Sequence, residues 1–479
     1  MMAHSKGRMS PSGDERFFEP FVYVVDVTDT SASVAWGGFY LEHTENGWGV
    51  VDDDDLPPGP RREGGTIGAQ SAPYGRAVVE VLDTEGTVMC SAEEADHNHV
   101  RLKGLEPDTA YRYRVSVDGE PWADGERRDW AIAGAGRAGG PERAGRVYDM
   151  TLRTHPAADQ AVSAAFLVIG DYGVGIERGD DGRRQEGVAR TLEHLAADHP
   201  VRFLVSLGDN IYHGPANRED QSGDEDDDWY FPYFQPYRYL VDHLPIYPAA
   251  GNHDGSDEEA SDDRQQLADN FHLEHRFGEK QEQGRASLGP GMFYRLAFGS
   301  LLELLCVDTT WGAQRGVHYF DDDRHREWLE QALPEEGEPV GGDRPTWRIP
   351  FCHHPAHCAG PHHESMQEQI DSLIPLYHRA GVRLLMSGHE HNFQHGRVDG
   401  LDYLVAGAAA KLQERPPFRF EEGGTISWAA EPHCLLVEVD AERLTVTPFG
   451  PTEPGHEPRP IARLSPEGLE VEGPIVLER

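Results

Sequence analysis

Apolar and polar positions follow two different patterns along this chain. Between Phe18 and Thr154 they alternate over short stretches, as in Ser33-Val34-Ala35-Trp36, Ala77–Leu82 and Tyr111–Val117. That period of two predicts short strands separated by turns. Beyond the linker Pro156–Gln160 the pattern changes to short, continuous apolar runs: Phe166–Ile169, Phe203–Leu207, Ile246–Ala250, Trp347–Phe351 and Val382–Met386. Between the first two runs, Arg184–Asp198 carries Val188, Leu192 and Leu195 at helical spacing. Strand, helix, strand predicts a parallel α/β unit, with ligands expected beyond the carboxyl ends of its strands. Near the end, Cys434–Val439 and Arg443–Thr447 predict a closing strand pair.

A chain of 479 residues exceeds one ordinary core, so a large and a smaller domain are expected. The pattern places a tail at 1–17, an all-β domain at 18–155, a second domain at 161–450 and a C-terminal extension at 451–479. Two turn-rich insertions, Val51–Gly75 and Gly134–Gly145, interrupt the first domain, and the acidic run Asp220–Asp228 reads as a solvated face. No apolar run approaches a membrane span, and Met1–Pro20 holds no stretch suited to a signal peptide, so a cytoplasmic protein is expected. Five scattered cysteines form neither a disulfide framework nor a paired metal spacing.

Acidic residues outnumber basic ones 84 to 43, for a net charge of −41. Such a field repels nucleic acid and anionic membranes, which excludes both as expected partners. Only Lys6, Lys103, Lys280 and Lys411 are lysines. The charge excess reads as halophilic adaptation, because salt screens repulsion among surface carboxylates, and stability is expected to rise along a KCl series.

Five short motifs follow the predicted strands in order: Gly170-Asp171-Tyr172-Gly173, Gly208-Asp209-Asn210-Ile211-Tyr212, Gly251-Asn252-His253-Asp254, His353-His354-Pro355 and Gly388-His389-Glu390-His391. Singly each has a bland reading, a turn with a capping Asp or a solvent-exposed histidine pair. Together, each at a strand end, they can reach one common edge of a sheet. They offer two carboxylates, a phenol, a carboxamide and imidazoles, an oxygen and nitrogen set suited to Fe, Zn or Mn. A glycine ahead of the ligands lets the backbone turn sharply and approach the metals.

This order of motifs, from about Phe166 to His391, resembles that of the purple acid phosphatases within the calcineurin-like metallophosphoesterases. The resemblance implies an α/β fold, a sandwich of two mixed β-sheets flanked by helices. The all-β domain before it resembles a fibronectin type III-like sandwich, in which Tyr111 folds its hydroxyl back to backbone at the corner Gly104–Tyr111. Carried over residue by residue, the family's first metal falls to Asp171, Tyr212 and His391, its second to Asn252, His353 and His389, and Asp209 bridges both. Tyr212 is the discriminating residue, since the purple enzymes bind Fe(III) through a phenolate; the second ion is Fe(II), Zn or Mn. His353 is preferred to its neighbour His354 because the family's ligand stands two residues before the proline. His354 is left to face substrate or to pack. His362 and His363 match a substrate-facing pair of plant-type relatives by their distance from His353. The implied function is hydrolysis of small phosphate monoesters by in-line attack of a metal-activated hydroxide, with His253, His362 and His363 as candidate catalytic residues and Asp254 orienting His253 or capping its turn. A phosphodiesterase or nucleotidase would use the same metals, and an inactive scaffold is the reading from another class. The oligomeric state is left open.

Overall fold

The computed structural model describes residues 17–44, 47–51, 74–125, 146–175, 179–212, 229–254, 267, 270–272, 276, 293–310, 323–333 and 345–479. Most of the two turn-rich insertions and all of the acidic run at 220–228 lie outside the described residues.

Strands β1 (Phe17–Val27), β2 (Ser31–Thr44), β3 (Gly47–Val50), β4 (Ala77–Leu82), β5 (Val88–Glu94), β6 (His99–Lys103), β7 (Ala110–Val117), β8 (Glu120–Pro121) and β9 (Thr151–Arg153) build the N-terminal all-β region. They form two antiparallel sheets, β1-β2-β3 with β6 on β2, and β5-β4-β7-β8 with β9 on β7. The period-two stretch Ala77–Leu82 is a strand from end to end, with every second side chain buried. At the predicted corner, the Tyr111 hydroxyl accepts the Glu106 amide N–H at 2.9 Å.

Beyond it two mixed sheets face each other. The first holds β10 (Ala164–Ile169), β11 (Val201–Ser206), β12 (Ile246–Pro248), β20 (Cys434–Val439), β21 (Arg443–Phe449) and β24 (Ile475–Glu478), in the order β12-β11-β10-β20-β21-β24. The pairs β10–β11 and β11–β12 are parallel, the first joined through helix α1 (Gly179–Asp198), and β20–β21 is the closing antiparallel pair. Val188, Leu192 and Leu195 are the buried face of α1, as their spacing requires. The second sheet holds β13 (Tyr294–Phe298), β14 (Leu302–Cys306), β15 (Trp347–Cys352), β16 (Leu384–Ser387), β17 (Phe393–Val398), β18 (Leu401–Ala406), β19 (Thr425–Ala429), β22 (Arg463–Leu464) and β23 (Glu470–Val471). Its centre, β14-β15-β16-β18, is parallel.

The second sheet shows how one apolar run serves two layers. Leu304 and Cys306 join the core shared with the first sheet, whereas Leu305 and Val307 join a separate cluster with Leu373 and Tyr377. The same split separates Leu384 and Met386 from Leu385, because successive strand side chains point to opposite faces. The stretch 451–479 adds strands to both sheets, β24 beside β21 and β22 beside β19. No helix among the described residues is long and apolar enough to cross a membrane.

The all-β region and the sandwich share one apolar core, running from Phe21 and Val34 through Phe234 and Tyr247 to Phe166. Buried acids of the first region meet cations of the second. Glu19 accepts from Arg238 Nη1 and from the Tyr230 hydroxyl, each at 2.7 Å. Asp26 accepts from Arg276 Nε at 2.8 Å and from the Tyr247 hydroxyl at 3.0 Å. Nearer the surface, the partly exposed Asp108 accepts from Arg202 Nη1 at 2.9 Å.

Candidate metal centre

The motif residues follow strands of both sheets. Asp171 follows β10, Asp209 and Tyr212 follow β11, and Asn252 follows β12 in the first sheet; His353 follows β15, and His389 and His391 follow β16 in the second. The site therefore lies where the carboxyl-end edges of two sheets meet. A single common edge, as the strand ends alone suggested, is replaced by the two-sheet arrangement that the family resemblance implies. Two bonds lace the edges together: the His389 amide donates to Asp171 Oδ2 at 2.9 Å, and His353 Nδ1 to the Leu207 carbonyl at 2.9 Å.

The glycines act here mainly through their size. A Cβ at Gly251 would meet the Asp209 amide nitrogen at 2.0 Å, and one at Gly388 would meet Asp171 Oδ2 at 2.6 Å. The left-handed conformations fall largely on the candidate ligands themselves, with φ of 56° at Asp171, 50° at Asp209 and 70° at His389. Non-glycine residues rarely sit there, and the surrounding bonds must hold them.

Two groups of donor atoms result, and each carboxylate oxygen of Asp209 faces one of them. Around the Tyr212 hydroxyl lie Asp209 Oδ2 at 2.6 Å, Asp171 Oδ1 at 3.2 Å and His391 Nε2 at 3.3 Å. Around His353 Nε2 lie Asn252 Oδ1 at 2.8 Å, His389 Nδ1 at 3.1 Å and Asp209 Oδ1 at 3.4 Å. Ligands bound at about 2.0–2.2 Å to one ion stand about 2.8–3.6 Å from their neighbours at tetrahedral or octahedral angles, a range that holds five of these six spacings, the Tyr212–Asp209 contact being shorter. The donor chemistry fits as well. A carbonyl only accepts, so the His353 proton is on Nδ1 and its Nε2 turns a lone pair toward two oxygens. Converging lone pairs are stable around a cation. The residues present thus fit two metal ions.

Burial and close charges shift the titrating groups of the site. Burial, then the charges of Asp171 and Asp209, push the Tyr212 phenol well above its ordinary pKa. Burial would raise Asp209 too, but His353 and His253 outweigh it and hold it down at about 2. For His391, burial is outweighed by the bond and charge of Asp171, so its pKa rises. Burial, helped by His354, His353 and His363, drives His389 well below the usual imidazole range.

Substrate-side candidates surround these donors. The His253 ring is 4.4 Å from that of Tyr212, and its amide donates to Asp209 Oδ1 at 2.9 Å. His363 stacks 3.6 Å from His389, and the exposed His362 is 4.3 Å beyond His363. Of the two roles open to Asp254, capping is the one observed. Its oxygens accept the Gly251 amide at 2.7 Å, the Ile211 amide at 3.1 Å and Asn210 Nδ2 at 2.8 Å, tying two loops together. Burial and the neighbouring Asp209 push its carboxyl up to about 7.

Sequence reasoning missed Glu390, which is fully buried and accepts the amides of His362 at 3.1 Å and His363 at 2.6 Å. Asn392 and Gln394 continue the support, each donating to the Gly360 carbonyl. Polar residues at 390, 392 and 394, every second position entering a strand, were the signal. Lys411 was also missed: its ammonium lies 4.9 Å over the Tyr212 ring and pairs with Asp181 at 3.3 Å.

Comparison with known proteins follows the geometry. Residues 164–393 match the family model described as calcineurin-like phosphoesterase. Purple acid phosphatase 17 of Arabidopsis thaliana is 25% identical over 269 residues, covering 52% of this chain and 69% of the relative. Tartrate-resistant acid phosphatase type 5 of Oryctolagus cuniculus is 24% identical over 264 residues, covering 51% and 72%. In fold, the structure of PhoD aligns with a TM-score of 0.60 at 12% identity, over 94% of this chain and 91% of that one. Purple acid phosphatase PPD1 from yellow lupin (Lupinus luteus) seeds aligns with a TM-score of 0.57 at 14% identity, over 90% and 72%. Family match, relatives and fold agree: residues 164–393 match the calcineurin-like phosphoesterases, the chain is similar to the purple acid phosphatases, and it is a hydrolase.

Proposed function

We propose that this chain is a dinuclear metal-dependent phosphomonoesterase, with Fe(III) in the Tyr212 group and Fe(II), Zn or Mn in the His353 group. One observation carries the reading: the two oxygens of Asp209 face separate donor groups, one of which contains a buried phenol. Bound there, two ions lower the pKa of a water and offset charge on the phosphoryl oxygens. Asp171, Tyr212 and His391 would hold one, Asn252, His353 and His389 the other, and Asp209 both. His253, half-buried and with its backbone amide bonded to Asp209, would give a proton to the departing alkoxide, a role supported by its ring lying 4.4 Å from that of Tyr212. His363 and His362, whose amides donate to Glu390, would receive the phosphate group, a role supported by the His363 ring packing on His389. Substrates of this kind are small phosphate esters.

Elemental analysis, a visible spectrum and turnover of nitrophenyl phosphate against bis-nitrophenyl phosphate test the proposal on one preparation. Two metals per chain, a purple or pink band and preference for the monoester are expected. A colourless, iron-free and fully active enzyme would remove Fe(III) from the reading, and preference for the diester would remove the monoesterase.

A further inference from the structure

We propose that His354, which is not among the seven ligand candidates, donates an Nε2–H hydrogen bond to the phosphate group at this site, in a tautomer set by Thr309. The inference rests on the phosphoesterase reading and adds a phosphate-contacting residue to it.

The tautomer follows from counting protons. A threonine hydroxyl has one proton to donate and lone pairs to accept with. Thr309 Oγ1 accepts the His354 amide N–H at 3.0 Å, and its other hydrogen-bond partner among the described residues is His354 Nδ1 at 3.2 Å. The amide can only donate, so Nδ1 is the acceptor left for the hydroxyl proton. A neutral imidazole whose Nδ1 accepts carries its own proton on Nε2. The turn that presents Thr309 is itself tied down, since Asp308 Oδ1 accepts the Thr310 amide at 2.9 Å and the Thr310 hydroxyl at 2.7 Å.

His353, one residue earlier, has the opposite arrangement. Its Nδ1 donates to the Leu207 carbonyl, which leaves a lone pair on Nε2 for a metal. Two adjacent imidazoles thus present different chemistry to one site. A lone pair suits a cation, and an N–H suits an oxyanion.

Position supports the assignment. Ligand-capable nitrogens of His353, His354 and His389 all lie within 4.8 Å of one another. The His354 ring is 4.4 Å from His389, and His363 stacks against the same ring at 3.6 Å. His354 is partly exposed, so a bound anion can reach it. The His354 ring therefore packs against the same imidazole as His363, which is expected to meet phosphate.

Inorganic phosphate is the probe, used with the metal-loaded full chain. Its dissociation constant is measured by calorimetry and as a competitive inhibition constant, beside metal content by elemental analysis. His354→Ala is expected to keep two metals per chain and to weaken phosphate binding on the order of 10–100-fold, as for loss of a hydrogen bond to a charged group. His354→Gln, which keeps an amide N–H, should recover part of that loss and guards against a folding defect. Thr309→Val should weaken phosphate binding less, and Thr309→Ser should restore it. Loss of a metal from His354→Ala would make His354 a ligand and overturn the inference alone. Unchanged phosphate affinity would do the same and make His354 a packing residue. A wild-type protein that binds neither metal pair nor phosphate would overturn the phosphoesterase reading together with this inference.

Discussion

Buried acids occur in two regions of this molecule, and their company differs. Where the all-β region packs on the sandwich, Glu19 meets Arg238 and Asp26 meets Arg276. At the junction of the two sheets, Asp171 and Asp209 are just as buried, but no described Arg or Lys forms an ion pair with either. Their neighbours are a phenol, amides and imidazoles. Burying a charge costs several kcal/mol unless a partner offsets it. A buried acid that brings its own cation is explained by the fold, whereas Asp171 and Asp209, which face phenol and imidazole donors, fit a cation from outside.

The largest effect that can break this comparison is on Asp209. Asp209→Asn is expected to abolish turnover, because one oxygen serves each donor group. The wild-type protein should also lose stability on chelation, by about 4 kcal/mol if metal had been present at a thousandfold its dissociation constant. The variant should lose little of its already low stability on the same treatment. Equal melting shifts in both proteins would mean that Asp209 is not a metal residue.

A somewhat smaller effect is expected one shell outward. His253→Ala should keep both metals yet lower kcat by roughly 10²–10⁴ on alkyl phosphates, the range for a lost acid catalyst. Nitrophenyl phosphate, whose leaving group needs no proton, should suffer less. The same loss on both substrates would place His253 in phosphate binding instead.

At the interface the signature should reverse. Glu19→Gln removes the buried carboxylate that accepts from Arg238 Nη1 and the Tyr230 hydroxyl, at a cost of about 3–5 kcal/mol. Turnover per folded molecule and metal content should be unchanged, and the loss should be the same with and without chelator. A metal-dependent loss would show that the two regions are coupled and that the contrast between them is too simple.

How far the sequence revealed these regions depends on what a strand pattern encodes. Apolar runs ending in Gly-Asp, Gly-Asn and Gly-His made the donor residues and their strand-end positions legible, because a ligand just past a strand is a local feature. Which sheet each strand joins was not local. Val201–Ser206 and Trp347–Cys352 are both apolar runs, and only pairing places them in different sheets. The alternation of Leu304 and Leu305 between two cores was hidden in a run that is apolar throughout. Glu390 and Thr309 were passed over for another reason: their roles are hydrogen bonds to residues 28 and 45 positions away. Such partners leave no mark on spacing. Tyr111 shows the opposite case, a bond reaching back five positions within one corner motif.

The smallest expected effect concerns imidazoles that lack both a metal and an ion-pair partner. His155 and His433 are fully buried in the core, each with Nδ1 donating to a carbonyl, of Ala297 and Glu431. Their Nε2 atoms have no hydrogen-bond partner among the described residues, so a proton added there would find no acceptor. Burial, joined at His155 by the charges of Arg276 and Arg202, lowers their pKa values to about 3 and about 4. The unfolded chain takes up these protons near pH 6.5 and the folded chain does not, so the unfolded state binds more protons between about pH 4 and 6.5. Stability must then rise with pH across that window and fall on acidification. The loss from pH 7 to pH 5 is on the order of 2 kcal/mol for each residue. Denaturant melts of chelated protein at the two pH values measure it, with metals absent so that their release does not contribute. His155→Phe and His433→Phe should each shrink the difference by about that amount, whatever either substitution does to stability at pH 7. An undiminished difference in both variants would assign the acid sensitivity to the ligand imidazoles, and the contrast between metal-facing and core histidines would lose its energetic basis.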